Sequence, residues 1–245
     1  MPLLPPRSLT NDTFFNGRLK ISQEGIGYRY SLDAVLLAYY AAPRKEDRII
    51  DLGTGCGVIS LLMAYRYPKI KIYGVEIQKE LARIADLNAR QNRLKDRIII
   101  ICQDMLALRA DQISGPVDLV VCNPPYRRAA SGRINPDSQR AVARHEIKIT
   151  LAGVIDTARR TLRTAGRFVI IYPVERLADL IEALRKKGLE PKSLCMIHSD
   201  SKSRAKLILL EAVSQGRPGL KADSPIYIYK DNGCYSTEMQ KMFEP

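Results

Sequence analysis

A chain of 245 residues with 39 Lys and Arg against 26 Asp and Glu, a formal net charge of +13, is long enough to bury a substantial core. Its charge points to a polyanionic partner, most simply nucleic acid. Five cysteines (Cys56, Cys102, Cys122, Cys195 and Cys234) without a Cys-x-x-Cys pair, and only two histidines (His145 and His198), argue against a disulfide-stapled scaffold and a zinc centre. The cysteines read as reduced core residues, and no metal is expected. The opening MPLLPPRSLT lacks a charged segment leading into a long apolar one, and AVLLAYYAA at 34–42 falls far short of a membrane span. A cytoplasmic protein with no membrane partner is expected.

In chain order, the segment FFNGRLKISQEGIGYRYSLDAVLLAYYAA predicts a short hairpin leading into a helix, with Ser31 as its N-cap. From there β-branched runs alternate with helical stretches. Strands are predicted over 48–53, 71–77, 97–104, 117–123, 167–173, 191–198 and 205–213, and helices over 58–66, 79–92, 146–164 and 174–187. Such alternation is the signature of an α/β fold with a mostly parallel seven-stranded sheet and helices on both faces. The last two strands follow one another without room for a helix, which predicts a terminal antiparallel hairpin. SPIYIYKDNGCYSTEM predicts one more strand and a turn at Asp231-Asn232-Gly233, as an edge hairpin. One domain is expected over 1–245, with an N-terminal extension (1–46), a core (47–213) and a C-terminal extension (214–245).

The first core strand leads into DLGTGCGVISLLMA, where Gly53, Gly55 and Gly57 alternate ahead of a helix. Glycines here permit positive φ and close backbone approach, and the helix start offers free N–H groups, so a nucleotide-like ligand is expected at the sheet's carboxyl edge. The dinucleotide pattern Gly-x-Gly-x-x-Gly fails at its third glycine. Instead, Asp-x-Gly-x-Gly-x-Gly resembles motif I of the class I (Rossmann-like) S-adenosylmethionine-dependent methyltransferases. The resemblance implies that Asp51, Gly53, Thr54, Gly55 and Gly57 border the methionine part of the cofactor. It places Glu76 at the ribose hydroxyls and Asp104 and Met105 at the adenine, and counts Ile77 and Asn123 among the cofactor-binding residues. For each acid a second reading exists, as a cap on the turn after its strand.

The fourth core strand ends in VDLVVCNPPYRR. Two prolines stop the ladder and force an extended exit, which leaves Asn123 and Tyr126 unexplained. An aromatic or amide amino group is a poor nucleophile until hydrogen-bond acceptors draw its protons out of plane. The Asn123 side-chain oxygen and the Pro124 carbonyl suit that task, with Pro125 stiffening the loop and Tyr126 stacking on the target ring. The stretch resembles motif IV of amino methyltransferases acting on adenine N6, guanine N2 or glutamine N5. Transfer would leave S-adenosylhomocysteine and needs neither a metal nor a covalent intermediate.

From Tyr126 to Glu146 the chain carries Arg127, Arg128, Arg133, Arg140 and Arg144 against two acids, a composition suited to phosphates around a base swung out of its stack. SKSRAK at 201–206, with Lys20 and Arg29, would extend the track. Taken with GYRYSLDAVLLA, DLGTGCGVISLLMA, CNPPYRR, ARHE, AKLILLEAV and SPIYIY, the chain resembles the tRNA adenine-N6 methyltransferases along nearly its whole length. That resemblance implies methylation of the adenine 3′ of the anticodon (position 37) in a valine tRNA. Glutamine N5 methylation of release factors, guanine N2 methylation of rRNA, and a non-catalytic scaffold that only holds the cofactor are the alternatives. Release-factor enzymes generally carry a helical domain that the first fifty residues here do not suggest. Tyr28 and Tyr30 are read as core packing rather than a lid and His145 as a polar anchor of its loop, and nothing in the sequence signals an oligomeric state.

Overall fold

The computed structural model describes residues 9–24, 32–124 and 151–244. A hairpin of β1 (Leu9–Phe14) and β2 (Leu19–Glu24) precedes α1 (Leu32–Tyr40). The core follows as β3 (Arg48–Leu52), α2 (Val58–Arg66), β4 (Lys71–Glu76), α3 (Lys79–Gln91), β5 (Ile98–Cys102) and β6 (Val117–Cys122). After Pro124 the description resumes with α4 (Leu151–Thr161), β7 (Leu162–Pro173), α5 (Leu177–Lys186), β8 (Leu189–His198) and β9 (Ala205–Ser214). The two-residue strands β10 (Lys221–Ala222) and β11 (Ile226–Tyr227) and the helix α6 (Thr237–Phe243) complete it.

The seven expected strands lie in the order β5-β4-β3-β6-β7-β9-β8, parallel except for β9, which is antiparallel to both β7 and β8. Strand side chains alternate between two apolar faces, as a doubly covered sheet requires. Ile49, Val121 and Val169 join the core under α1, α2 and α3, whereas Ile50, Val120 and Phe168 join the core under α4 and α5.

Several boundaries correct the sequence reading. Among the described residues the sheet has nine strands, because β10 and β11 each pair parallel to the outer edge of β8. The strand expected within SPIYIY shrinks to Ile226–Tyr227, and the expected edge hairpin is reduced to a single antiparallel bridge between Tyr229 and Tyr235. That bridge closes a turn where Gly233 takes φ 78°, and the chain then enters α6, capped by Ser236 through Met239 N–H at 3.1 Å. In its described part the helix expected over 146–164 ends at Thr161, and Leu162 already pairs with Val117. Cys56, Cys122 and Cys195 are buried as expected, but Cys102 and Cys234 are exposed. Ser31, Tyr28, Tyr30 and Arg29 lie outside the described residues.

Candidate active site

The strand order reverses direction at β3, whose sequence successor β4 lies on one side and β6 on the other. Such a switch point leaves a crevice beyond the carboxyl ends of the strands, where α/β sheets bind ligands. The predicted motifs converge there. Leu52 pairs with Val75 on one side and Cys122 on the other, so the glycine loop and Asn123 leave the sheet from adjacent strands, about 5 Å apart.

In the loop, Gly53, Gly55 and Gly57 take φ of 72°, 58° and 86°. These left-handed values strain any residue with a Cβ. The first two loop amides donate to Val75 O, from Gly53 at 2.9 Å and Thr54 at 3.0 Å, which folds the loop back over β4. Gly57 then caps α2 without a side chain.

Asp51 occupies a position on the Ile49 stripe where an apolar residue would pack. It is 1% exposed, and its Oδ2 accepts from Thr54 Oγ1 at 2.6 Å and Ser60 Oγ at 2.8 Å. Its Oδ1 is buried and has no hydrogen-bond partner among the described residues. Burial pushes the Asp51 carboxyl up to about 6, against the opposing hydroxyl hydrogen bonds, and the charge of Glu76 adds to the rise. The buried Cys122 beside it, whose thiol reaches Leu52 O at 3.3 Å, is likewise pushed up by burial and serves as a small apolar residue.

Glu76 is buried at the end of β4, where Oε2 accepts from Gly55 N at 3.0 Å and Oε1 from Gln78 N at 2.8 Å. Asp104 lies two residues past β5, where Oδ1 caps the next turn through Leu106 N at 2.9 Å. The capping reading therefore holds for both acids. It does not exhaust them, because a carboxylate offers about four lone-pair sites. Met105 is buried and extends to the loop, its Cε 3.9 Å from where a Cβ on Gly53 would stand. Ile77 is half-buried beside Glu76, Asn123 is half-buried, and Pro124 is buried. Pro125, Tyr126, Arg127, Arg128, Arg133, Arg140, Arg144 and His145 lie outside the described residues.

Two findings depart from the sequence reading. Lys20 does not extend a basic track here. Its amide is bonded to Asn92 Oδ1 (2.8 Å) just past the C-terminus of α3, at the opposite edge of the sheet. Asn88, in contrast, was missed. It is 0% exposed, accepts from Ser22 N at 2.8 Å, and donates to Ser22 O and Cys56 O, each at 2.8 Å. One side chain thus clamps β2 to the glycine loop. The available signal was a polar residue on the apolar stripe Leu81, Ile84, Ala85, Asn88 and Ala89. Asn88→Ala would strand three buried backbone groups. It should cost about 3 kcal/mol, a fall in Tm of about 6–12 °C by calorimetry.

Fold and site together define a class I methyltransferase. Residues 43–216 match the family model described as a methyltransferase domain. A relative from Porphyromonas gingivalis, named tRNA1(Val) (adenine(37)-N6)-methyltransferase, is 32% identical over 97% of this chain and 95% of its own. One of the same name from Pedobacter heparinus is 29% identical over 89% of this chain and 91% of its own. The fold is also that of a predicted O-methyltransferase from Agrobacterium tumefaciens (TM-score 0.68, 21% identity, 86% of this chain and 94% of that one). It is shared more loosely with geranyl diphosphate methyltransferase in complex with S-adenosylmethionine (TM-score 0.53, 15% identity, 74% and 84% covered). The chain belongs to the tRNA1(Val) (adenine(37)-N6)-methyltransferase family. No helix among the described residues is long and apolar enough to cross a membrane.

Proposed function

We propose that this chain methylates the N6 amino group of adenine 37 in a valine tRNA, using S-adenosylmethionine, and that Asn123 and Pro124 activate the amino group. The observation that carries this reading is the exit of Asn123-Pro124 from β6 beside the glycine loop at the switch point. The names of the full-length relatives support adenine over guanine or glutamine.

The residues present fit the cofactor. The buried Asp51 Oδ1, without a hydrogen-bond partner among the described residues, is an acceptor suited to its ammonium group, and the positive-φ glycines leave room for backbone approach. Glu76, with Ile77 beside it, would accept from the ribose hydroxyls, and Asp104 from the adenine amino group with Met105 against the ring. Bound S-adenosylmethionine supplies a methyl group on a sulfonium centre, open to in-line displacement by an amino nitrogen. The Asn123 side-chain oxygen and the Pro124 carbonyl accept hydrogen bonds from the two amino N–H groups. Drawing them out of the ring plane localises the nitrogen lone pair, and the protein supplies this as fixed dipoles that need no reorganisation. After transfer the alkylated, now acidic nitrogen loses one proton to water. Tyr126 would stack on the flipped adenine, with Pro125 stiffening the turn. Arg127, Arg128, Arg133, Arg140 and Arg144 would meet the surrounding phosphates.

The test is transfer of tritiated methyl from the cofactor to an unmodified valine tRNA transcript, followed by nucleoside digestion. N6-methyladenosine should appear and vanish when position 37 is changed to another base. Label in N2-methylguanosine, or in a release factor while tRNA stays cold, would overturn the assignment.

A further inference from the structure

The carboxyl edge of the sheet continues past the active site. Because β9 is antiparallel to both neighbours, β8 runs parallel to β6 and β7 and ends at this same edge. Cys122 lies opposite Ile170, Ile170 opposite Leu210 and Leu210 opposite Leu194, so β8 runs on from the level of Cys122 to His198. Its end therefore stands about 13 Å higher than the end of β6 and about 14 Å to its side. The C-terminal segment joins it there. Ile228 N donates to His198 O at 3.0 Å and Tyr229 N to Ser199 O at 2.8 Å. The turn that follows is closed by Lys230 N to Cys234 O at 2.8 Å, and tied to the β8–β9 connection by Ser201 Oγ to Asp231 Oδ1 at 3.2 Å. An open cavity of about 440 Å³ lies here, lined by Asp200, Lys202, Tyr229, Lys230, Asp231 and Gly233.

One wall of this cavity is the end of an aromatic ladder. Phe14 stacks on Phe243 (5.8 Å between centroids), Phe243 on Tyr235 (5.5 Å) and Tyr235 on Tyr229 (5.4 Å, planes within 10°). The inner end is held by the buried Phe14, Met239 and Met242, whereas Tyr229 is 37% exposed. Lys202 and Lys230, which line the cavity, are exposed and form no ion pair with a described residue. The two acids help to build the site: Asp200 Oδ1 accepts from Lys202 N at 2.9 Å, and Asp231 holds Ser201.

We infer that this cavity is a second RNA subsite, in which an unpaired nucleotide of the tRNA, distinct from the methylated base, stacks on Tyr229 while Lys202 and Lys230 meet its flanking phosphates. A rigid ring held in a stack, beside two lysines that form no ion pair with a described residue, matches single-stranded nucleic acid better than a peptide. The inference rests on the tRNA-methylation reading and adds to it a determinant of substrate affinity remote from the chemistry.

Steady-state kinetics and equilibrium binding on the full chain test it. Tyr229→Ala should raise KM and Kd for tRNA about tenfold, with kcat, cofactor Kd and Tm unchanged. Tyr229→Phe should behave as wild type. The pair Lys202→Glu and Lys230→Glu should weaken tRNA binding and make its log–log salt slope shallower by about 1.5. Wild-type tRNA affinity in Tyr229→Ala, beside a wild type that methylates tRNA, would overturn the subsite and leave the function standing. A loss of cofactor affinity or of Tm together with tRNA affinity would make Tyr229 structural and also overturn the subsite. A wild type that methylates no tRNA would remove both readings.

Discussion

Asn123→Ala should lower the methyl-transfer rate by about 10²–10³-fold while the cofactor still binds. The side chain follows directly on β6, and Cys122 is held in register against Leu52 of the neighbouring strand. Removing the amide should leave that register and the glycine loop in place and delete one of the two acceptors we propose for the amino N–H groups. The loss should fall on kcat, because a pull on those protons strengthens as the nitrogen becomes tetrahedral and is weak in the ground state. Asn123→Asp, which keeps an acceptor oxygen, should retain more activity than the alanine variant. Single-turnover transfer to a tRNA transcript, paired with calorimetric titration of S-adenosylhomocysteine, separates the two effects. An alanine variant with wild-type kcat would end the case for Asn123.

Asp51→Asn should weaken S-adenosylmethionine binding by about 10–100-fold, the scale of one hydrogen bond to a charged group. The wild-type affinity should also depend on pH in a defined direction. Burial raises the Asp51 carboxyl to about 6, above the ordinary 3.8. The folded state therefore binds its proton more tightly than the unfolded chain does. The stability linked to that proton is fully present below pH 4 and is lost as pH rises through about 6. A cationic ligand prefers the ionised form, so affinity should rise over the window in which stability falls. Calorimetric titrations from pH 5 to 8 should show this rise in the wild type and none in Asp51→Asn. A flat wild-type profile, or unchanged affinity in the variant, would remove Asp51 from the cofactor site.

Much of the candidate site's arrangement was legible in the primary structure because its motifs are local. Asp51 and the three glycines lie within seven consecutive residues, and their spacing follows from the turn between β3 and α2. Apolar runs without alternation marked strands buried on both faces, and Asn-Pro-Pro marked a strand that had to end. Other elements were not legible. Asn88 is one polar residue on a helix, and its meaning comes from Ser22 and Cys56, 66 and 32 positions away. The helix α6 has only seven residues, too few to show a period, and it is held by packing of Met239 and Met242. The aromatic ladder joins Phe14 to Phe243 across nearly the whole chain, a proximity that no local pattern encodes.

Residue order alone thus settles which chemical groups stand at which strand ends, since a strand's exit and a glycine turn depend on a few neighbouring dihedral angles. Which strand ends become neighbours is a matter of pairing and register. These are set by hydrogen bonds and apolar contacts between segments far apart in the chain, and only the assembled sheet brings Asn123 beside the glycine loop or sets Tyr229 above the same edge.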